Sequence, residues 1–245
     1  MIDTIMFDLD GTLLQISQAV FLDTYLPEIG KVFTRLGLDA EACVKAVWVG
    51  TKAMVLNDGS MLNTDRFWAA FADRVGLPGY RLRDVEAACN AFYTNEFCVV
   101  KSVITPNAIS GRMVRALKAR GFTTVLATNP LFPACAVETR LNWIGLAPDD
   151  FILITHYANS TYCKPNPGYY REVFNKINKE PRQCLMAGNS PAEDMCAGTL
   201  GAETYLVTDC LENESGMDIA NFRRGTLADL EVYLMSLPAL TENFI

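Results

Sequence analysis

The sequence predicts an α/β fold, with a parallel, Rossmann-like sheet at its core and a helical insertion. From about residue 105 onward, short apolar runs alternate with helical segments, as strands and crossover helices do in a parallel sheet. The segment from Gln15 to Ile104 breaks that alternation and contains only helix-like stretches. We therefore assign residues 1–14 and 105–245 to the sheet domain and residues 15–104 to a helical insertion within it.

The first strand is predicted at Ile5-Met6-Phe7, an uncharged run of the kind that a parallel sheet buries on both faces. Further strands are predicted at Thr123–Ala127, Phe151–Thr155, Cys184–Ala187 and Tyr205–Val207. Helices are predicted in the sheet domain at Asn107–Arg120, Tyr169–Asn178, Ala192–Leu200 and around Leu227, Leu230 and Leu234. In the insertion they are predicted at Ala40–Leu56, Thr64–Val75 and Arg83–Phe97, and the aromatic residues of these stretches are interpreted first as core.

Composition limits the classes of partner. The chain has 245 residues, a net charge of −7 and no block of lysine or arginine, so we expect neither nucleic acid nor an anionic membrane as a partner. The longest apolar run, Phe67 to Ala72, is too short to span a bilayer. The amino terminus lacks the features of a secretory signal, and the expected location is cytoplasmic.

Cysteine and histidine usage narrows the chemistry further. None of the eight cysteines forms a CxxC pair, which favours scattered buried thiols over zinc ligands or disulfides. The single histidine, His156, argues against a Ser-His-Asp hydrolase and is interpreted as structural. A nucleophilic cysteine is still open as an alternative, but it would need His156 as its base.

Two carboxylates follow the first strand directly, in the stretch Asp8-Leu9-Asp10-Gly11-Thr12. Alternation along extended backbone puts Asp8 and Asp10 on the same side, and Gly11 allows the chain to turn. Like charges so close together resist burial unless a cation or shared chemistry compensates them. An ordinary aspartate-rich turn is the alternative.

Polar motifs also follow the later strands. Thr128-Asn129-Pro130 follows the second strand, Lys164-Pro165 comes after the third, and Gly188-Asn189-Ser190 follows the fourth, with Glu193 and Asp194 close behind. Because ligands bind at the carboxyl ends of parallel strands, we expect these groups to converge on Asp8. A carboxylate nucleophile, a second carboxylate for proton transfer, a hydroxyl and a lysine together suit phosphoryl transfer.

On these motifs the chain resembles the haloacid dehalogenase-like (HAD) hydrolase superfamily from Ile5 to about Val207, and most specifically at DLDGT. The resemblance implies Asp8 as the nucleophile and Asp10 as the general acid–base. It implies phosphate binding by Thr128, Asn129 and Lys164, and a helical cap formed by the insertion. It further implies Mg²⁺ held by Asp8, the Asp10 carbonyl, Asn189 and Asp194.

One position departs from the family pattern. Members commonly have an aspartate directly after the glycine of the fourth strand, whereas here Gly188 is followed by Asn189 and Ser190. Either residue can align with the missing aspartate, because Asn189 lies five positions and Ser190 four positions before Asp194. One negative charge is then missing from the expected magnesium shell.

The function expected from the resemblance is a magnesium-dependent phosphatase that acts on a small phosphorylated metabolite through an aspartyl-phosphate. The alternatives are a HAD-like binding or regulatory protein with a degraded metal site, a phosphomutase, and a haloacid dehalogenase. Asp10 disfavours the dehalogenase, because that chemistry has no phosphate-ester leaving group to protonate.

Overall fold

The strands form one parallel sheet. In the computed structural model, which describes residues 1–240, the strands are β1 (Thr4–Phe7), β2 (Thr123–Leu126), β3 (Leu153–Ile154), β4 (Cys184–Gly188), β5 (Glu203–Val207) and β6 (Arg224–Gly225). Their order in the sheet is β3-β2-β1-β4-β5-β6, and every neighbouring pair is parallel. The predicted α/β fold with a Rossmann-like parallel sheet is confirmed.

The α-helices are α1 (Gln18–Arg35), α2 (Ala40–Val55), α3 (Asn63–Val75), α4 (Gly79–Asn95), α5 (Ile109–Ala119), α6 (Ala134–Trp143), α7 (Pro167–Ile177) and α8 (Leu227–Ser236). The residue that precedes the first turn explains where several of these helices begin. Ser17, Asp39, Asn166 and Thr226 each accept a hydrogen bond from a backbone N–H of the first turn that has no partner within the helix.

Several elements differ from the sequence predictions, and neither α6 nor β6 was predicted. The helix predicted at Ala192–Leu200 is wrong, because that segment forms a 3-10 helix over Met195–Leu200 that ends at Gly201 in a left-handed conformation. The strand predicted at Phe151–Thr155 contains only Leu153 and Ile154. Helix α1 was not predicted, since Pro27 within it and a nearby glycine weaken the helical signal.

Alternation along the strands divides the core between the two faces of the sheet. Ile5 and Phe7 pack into one apolar cluster, while Met6 packs into a second cluster together with Tyr169 and Tyr170 of α7. Phe7 pairs in register with Leu126 of β2 and Ala187 of β4. The residues that follow these three strands therefore emerge at the same edge of the sheet.

The connection between β1 and α5 is helical. Residues 18–103, all of which the structure describes, contain α1 to α4 and a 3-10 helix over Phe97–Val103, without a strand. Between residues 1 and 240, no helix has the length and apolar character that crossing a membrane requires.

Candidate active site

Asp8 lies at the carboxyl end of β1, where its backbone N–H donates to the Ala187 carbonyl at 2.9 Å. The following turn depends on Gly11, which has a φ of 81°. A Cβ on Gly11 would lie 2.1 Å from Nδ2 of Asn189, so only glycine allows this turn to pack against the loop after β4. The DLDGT stretch and the Gly188-Asn189-Ser190 stretch are thus in direct contact.

The ammonium group of Lys164 bridges two carboxylates. Nζ donates to Oδ1 of Asp8 at 2.9 Å and to Oδ1 of Asp194 at 2.6 Å, and the residue is only 1% exposed. Burial alone would lower the pKa of Lys164, but Asp194 and Asp8 hold that pKa well above its usual value. The lysine is therefore a fixed positive charge directly beside Asp8.

Asn189 and Ser190 make different contacts. The Thr12 hydroxyl lies 3.2 Å from Oδ1 of Asn189 and 3.3 Å from Oδ2 of Asp8, which brings the amide oxygen close to the carboxylate. The Asn189 Nδ2 donates to the carbonyl of Cys210 at 2.7 Å. Ser190 instead contacts its own loop, because its N–H donates to Asp194 and its Oγ accepts from the Glu193 N–H.

Thr128 and Asn129 follow β2 and line the same cavity as Asp8. The Asn129 amide is already engaged within the protein: Oδ1 accepts from the backbone N–H of Lys164 at 3.2 Å, and Nδ2 donates to Glu193 at 3.0 Å. Asn129 thus connects the loop that contains Lys164 to the loop after β4. A phosphate contact made by Asn129 would have to use its backbone.

Arg140 was not identified from the sequence. This residue of α6 is 1% exposed, its Nη1 donates to Oδ2 of Asp10, and its guanidinium lies 4.5 Å from the ring centroid of Phe132. The other carboxylate oxygen of Asp10, Oδ1, is buried and has no hydrogen-bond partner within residues 1–240. No sequence motif contains Arg140: it lies on the buried face of α6 with Ala136 and Val137, where a charge requires a partner.

Carboxylates outnumber cations around this site. Burial raises the pKa of Asp8; Lys164 opposes that rise, and the carboxylates of Asp194 and Asp10 add to it. Burial also raises the pKa of Glu193. Glu212, in the loop after β5, has its pKa raised to about 7 by burial and by nearby carboxylates, of which Glu193 acts most strongly. These raised pKa values indicate that the site disfavours the ionised form of several neighbouring carboxyl groups at once unless a further cation joins them.

The donor chemistry fits Mg²⁺. No group of three acidic, histidine or cysteine side chains within the described residues forms a ready metal cluster. Magnesium, however, is bound through one or two carboxylates with neutral oxygens and waters completing its shell. A bound Mg²⁺ would take carboxylate oxygens from Asp8 and Asp194, an amide oxygen from Asn189 and a carbonyl oxygen from the Asp10 backbone. A divalent cation bound here would favour the ionised form of these carboxyl groups.

His156 lies outside this group of residues. It does not line the cavity that contains Asp8. Burial, with a smaller contribution from Lys176, lowers the pKa of its imidazole. The eight cysteines are all free thiols, and Cys43, Cys89, Cys163 and Cys184 are buried.

The residues described above open into a cavity of about 360 Å³. Its floor contains Asp8, Asp10, Thr128, Lys164 and Asn189, and its opposite wall is formed by side chains from α1 to α4. The helices inserted after β1 thus cover the edge of the sheet where the polar motifs meet.

Several solved structures share this fold. A predicted phosphoglycolate phosphatase from Haemophilus somnus 129PT superposes with a TM-score of 0.58 at 19% identity, covering 95% of this chain and 97% of that one. CbbY from Rhodobacter sphaeroides in complex with phosphate has a TM-score of 0.60 at 17% identity, covering 94% of this chain and 96% of that one. The L-2-haloacid dehalogenase from Xanthobacter autotrophicus gives 0.56 at 15% identity, covering 97% and 100%. These likenesses establish the shared fold.

The sequence itself identifies the family. No curated protein matches the chain. A family model for haloacid dehalogenase-like hydrolases, however, matches residues 2–199, which include every polar motif of the site. The chain therefore belongs to the haloacid dehalogenase-like hydrolases.

Proposed function

We propose that this chain is a magnesium-dependent phosphatase that hydrolyses a small phosphorylated metabolite through an aspartyl-phosphate on Asp8. One observation carries the proposal: Asp8 contacts the fixed charge of Lys164, while Asp10 keeps one buried carboxylate oxygen without a partner among the described residues. A nucleophile next to a cation and a second carboxylate free to exchange a proton are what phosphate-ester hydrolysis requires.

In the first step, a carboxylate oxygen of Asp8 attacks phosphorus and the bond to the ester oxygen breaks. Asp10, protonated at Oδ1, gives its proton to the departing oxygen. In the second step, Asp10 takes a proton from water, the water oxygen attacks phosphorus, and phosphate leaves with Asp8 regenerated. Lys164 stabilises the negative charge that builds on the phosphoryl oxygens, and we assign Thr128 and Asn129 to holding these oxygens.

Mg²⁺ would be held by Asp8, the Asp10 carbonyl, Asn189 and Asp194. When bound, it supplies positive charge that screens the carboxylates from the incoming phosphate. The neutral amide of Asn189 replaces an anionic ligand, so we expect weaker magnesium binding than in a site with one more carboxylate.

We further propose that residues 15–104 act as a cap over a catalytic domain formed by residues 1–14 and 105–245. The supporting observation is that α1 to α4 provide most of the cavity wall facing Asp8. A cap in this position excludes water from the acyl-phosphate and selects the substrate.

The test is release of inorganic phosphate from a panel of phosphate esters, with Mg²⁺ and with a chelator, comparing the native protein with Asp8→Asn. We expect magnesium-dependent release by the native protein and none by the variant. A haloacid dehalogenase would instead release halide from a 2-haloacid without metal. Halide release together with no phosphate release from any ester would overturn the proposal.

A further inference from the structure

The cavity wall opposite the catalytic carboxylates is strongly aromatic. Phe21 and Tyr25 of α1, Trp48 of α2, Trp68 of α3 and Tyr93 of α4 all contribute to it. The hydroxyls of Tyr25 and Tyr93 lie 2.5 Å apart and bind each other, so these tyrosines present mainly their rings to a ligand.

Polar partners are scarce on this wall. Apart from the tyrosines and tryptophans, the lining residues from α1 to α4 that carry an amide or a hydroxyl are Gln18, Thr51 and Asn90. A sugar that enters such a space loses hydrogen bonds to water without replacing them, which costs free energy. An apolar ring gains about 25 cal/mol for each Å² that it buries.

Positive charge is equally scarce. Among the described residues that line the cavity, Lys164 is the one cation, and both Asp8 and Asp194 already bind its ammonium group. Arg140 lies behind the wall and is paired with Asp10. A second anionic group on the substrate, such as a carboxylate, would find no further cation among the described lining residues and would lie near the acidic side chains of Glu193 and Glu212.

From these observations we infer that the substrate is the phosphate monoester of an uncharged aromatic alcohol. This inference rests on the proposed phosphatase function and adds the identity of the leaving group. The phosphoryl group lies among Asp8, Thr128 and Lys164, and the ring lies against the aromatic wall. Phosphorylated sugars and phosphorylated hydroxy acids are poor substrates for the reasons of polarity and charge given above.

Binding is tested first with stable phosphonates, so that the result does not depend on turnover. Tryptophan fluorescence, to which Trp48 and Trp68 contribute from the cavity wall, reports the Kd of benzylphosphonate and of 2-carboxyethylphosphonate in the presence of Mg²⁺. We expect the benzyl compound to bind at least about ten-fold more tightly, because its ring buries apolar area and it lacks the extra charge. Equal affinities, or tighter binding of the carboxyethyl compound, would overturn the inference.

Variants locate the effect. Trp48 is 46% exposed, so Trp48→Ala removes part of the wall without emptying a buried core, and it should reduce the preference for the benzyl group. Tyr80→Ala is the matched control, because Tyr80 lies on α4, is 68% exposed and does not line the cavity. Thr51→Lys adds a cation to the wall and should shift the preference towards the carboxyethyl compound. An unchanged preference in both Trp48→Ala and Thr51→Lys would contradict the assignment of this wall.

Turnover separates this inference from the proposed function. The inference predicts a higher kcat/KM for benzyl phosphate than for phosphoglycolate or glucose 6-phosphate. If phosphoglycolate or the sugar phosphate is the better substrate, the phosphatase function holds and the substrate class is wrong. If no ester is hydrolysed, the phosphatase function fails, and the phosphonate affinities still decide whether the cavity selects uncharged aromatic groups.

Discussion

Arg140 donates from its guanidinium to Oδ2 of Asp10, although 130 positions separate the two residues in the sequence. The pair leaves Oδ1 of Asp10 without a partner within residues 1–240. Arg140 is fixed by Phe132 and by its own bond to the Ala136 carbonyl, so it holds the Asp10 carboxylate in one orientation. This relationship gives Arg140 a positioning role in the proposed mechanism.

Replacing Arg140 by methionine is therefore expected to lower kcat more than it raises KM. Methionine fills much of the volume but leaves Asp10 without its cation. Loss of one partner of a buried pair costs about 3–5 kcal/mol, and we expect the lower end because the Asp10 side chain is 34% exposed. Urea unfolding measures the change in stability. Steady-state kinetics measures the changes in kcat and KM separately. Arg140→Lys should have a higher kcat than the methionine variant. A rise in KM with kcat unchanged in the methionine variant would contradict a positioning role.

The proton-transfer role of Asp10 predicts a separate loss. Asp10→Asn keeps the shape of the side chain but removes the group that exchanges a proton, so kcat should fall by at least about 10²-fold. The loss in kcat/KM, which reports the first step, should be smaller for an ester whose leaving group needs no protonation, such as an activated aryl phosphate. An equal loss in kcat/KM for activated and unactivated esters would argue against Asp10 as the acid.

The neutral residue in the expected metal shell predicts a response to added charge. Asn189→Asp should lower the Mg²⁺ concentration needed for half-maximal activity, because the amide oxygen of Asn189 lies near Asp8 through their shared contact with Thr12. Ser190→Asp is the matched control and should leave the Mg²⁺ requirement unchanged, since the backbone N–H and the hydroxyl of Ser190 are hydrogen-bonded within its own loop. The reverse result would place the metal at Ser190. Calorimetry that finds no Mg²⁺ binding to the native protein would refute the metal site.

His156 offers a pH measurement without ambiguity, because the chain contains a single histidine. Burial and Lys176 lower the pKa of the imidazole, so its NMR titration midpoint should lie below 6.5 in the untagged protein. The unfolded chain binds this proton first as the pH falls, so His156 lowers stability below pH ~6.5. His156→Gln should remove this contribution to the loss of stability at low pH and should retain activity. A midpoint at or above 6.5, or an inactive but folded variant, would contradict a structural role.

The sheet was predictable because apolar runs and periodic helices are local signals. These local signals failed to predict elements whose secondary structure depends on tertiary contacts. Helix α1 forms around Pro27 because its apolar face is buried, and β6 consists of Arg224 and Gly225, a pair without the β-branched or aromatic residues that favour strands. Among the site residues, the motif positions followed from the ends of strands. Arg140 and Glu212 belong to no motif and reach the site only through the packing of α6 and of the loop after β5.

Covalent chemistry at Asp8 is central to the proposed mechanism, and its most direct test is to trap the intermediate. The native protein is mixed with a radiolabelled phosphate ester and Mg²⁺, quenched in acid within one turnover, digested and mapped by mass spectrometry. We predict an acid-stable phosphoryl group on Asp8, absent from Asp8→Asn, because a carboxylate nucleophile must pass through an acyl-phosphate. Phosphate release without any labelled residue, or with the label on another residue, would contradict the account.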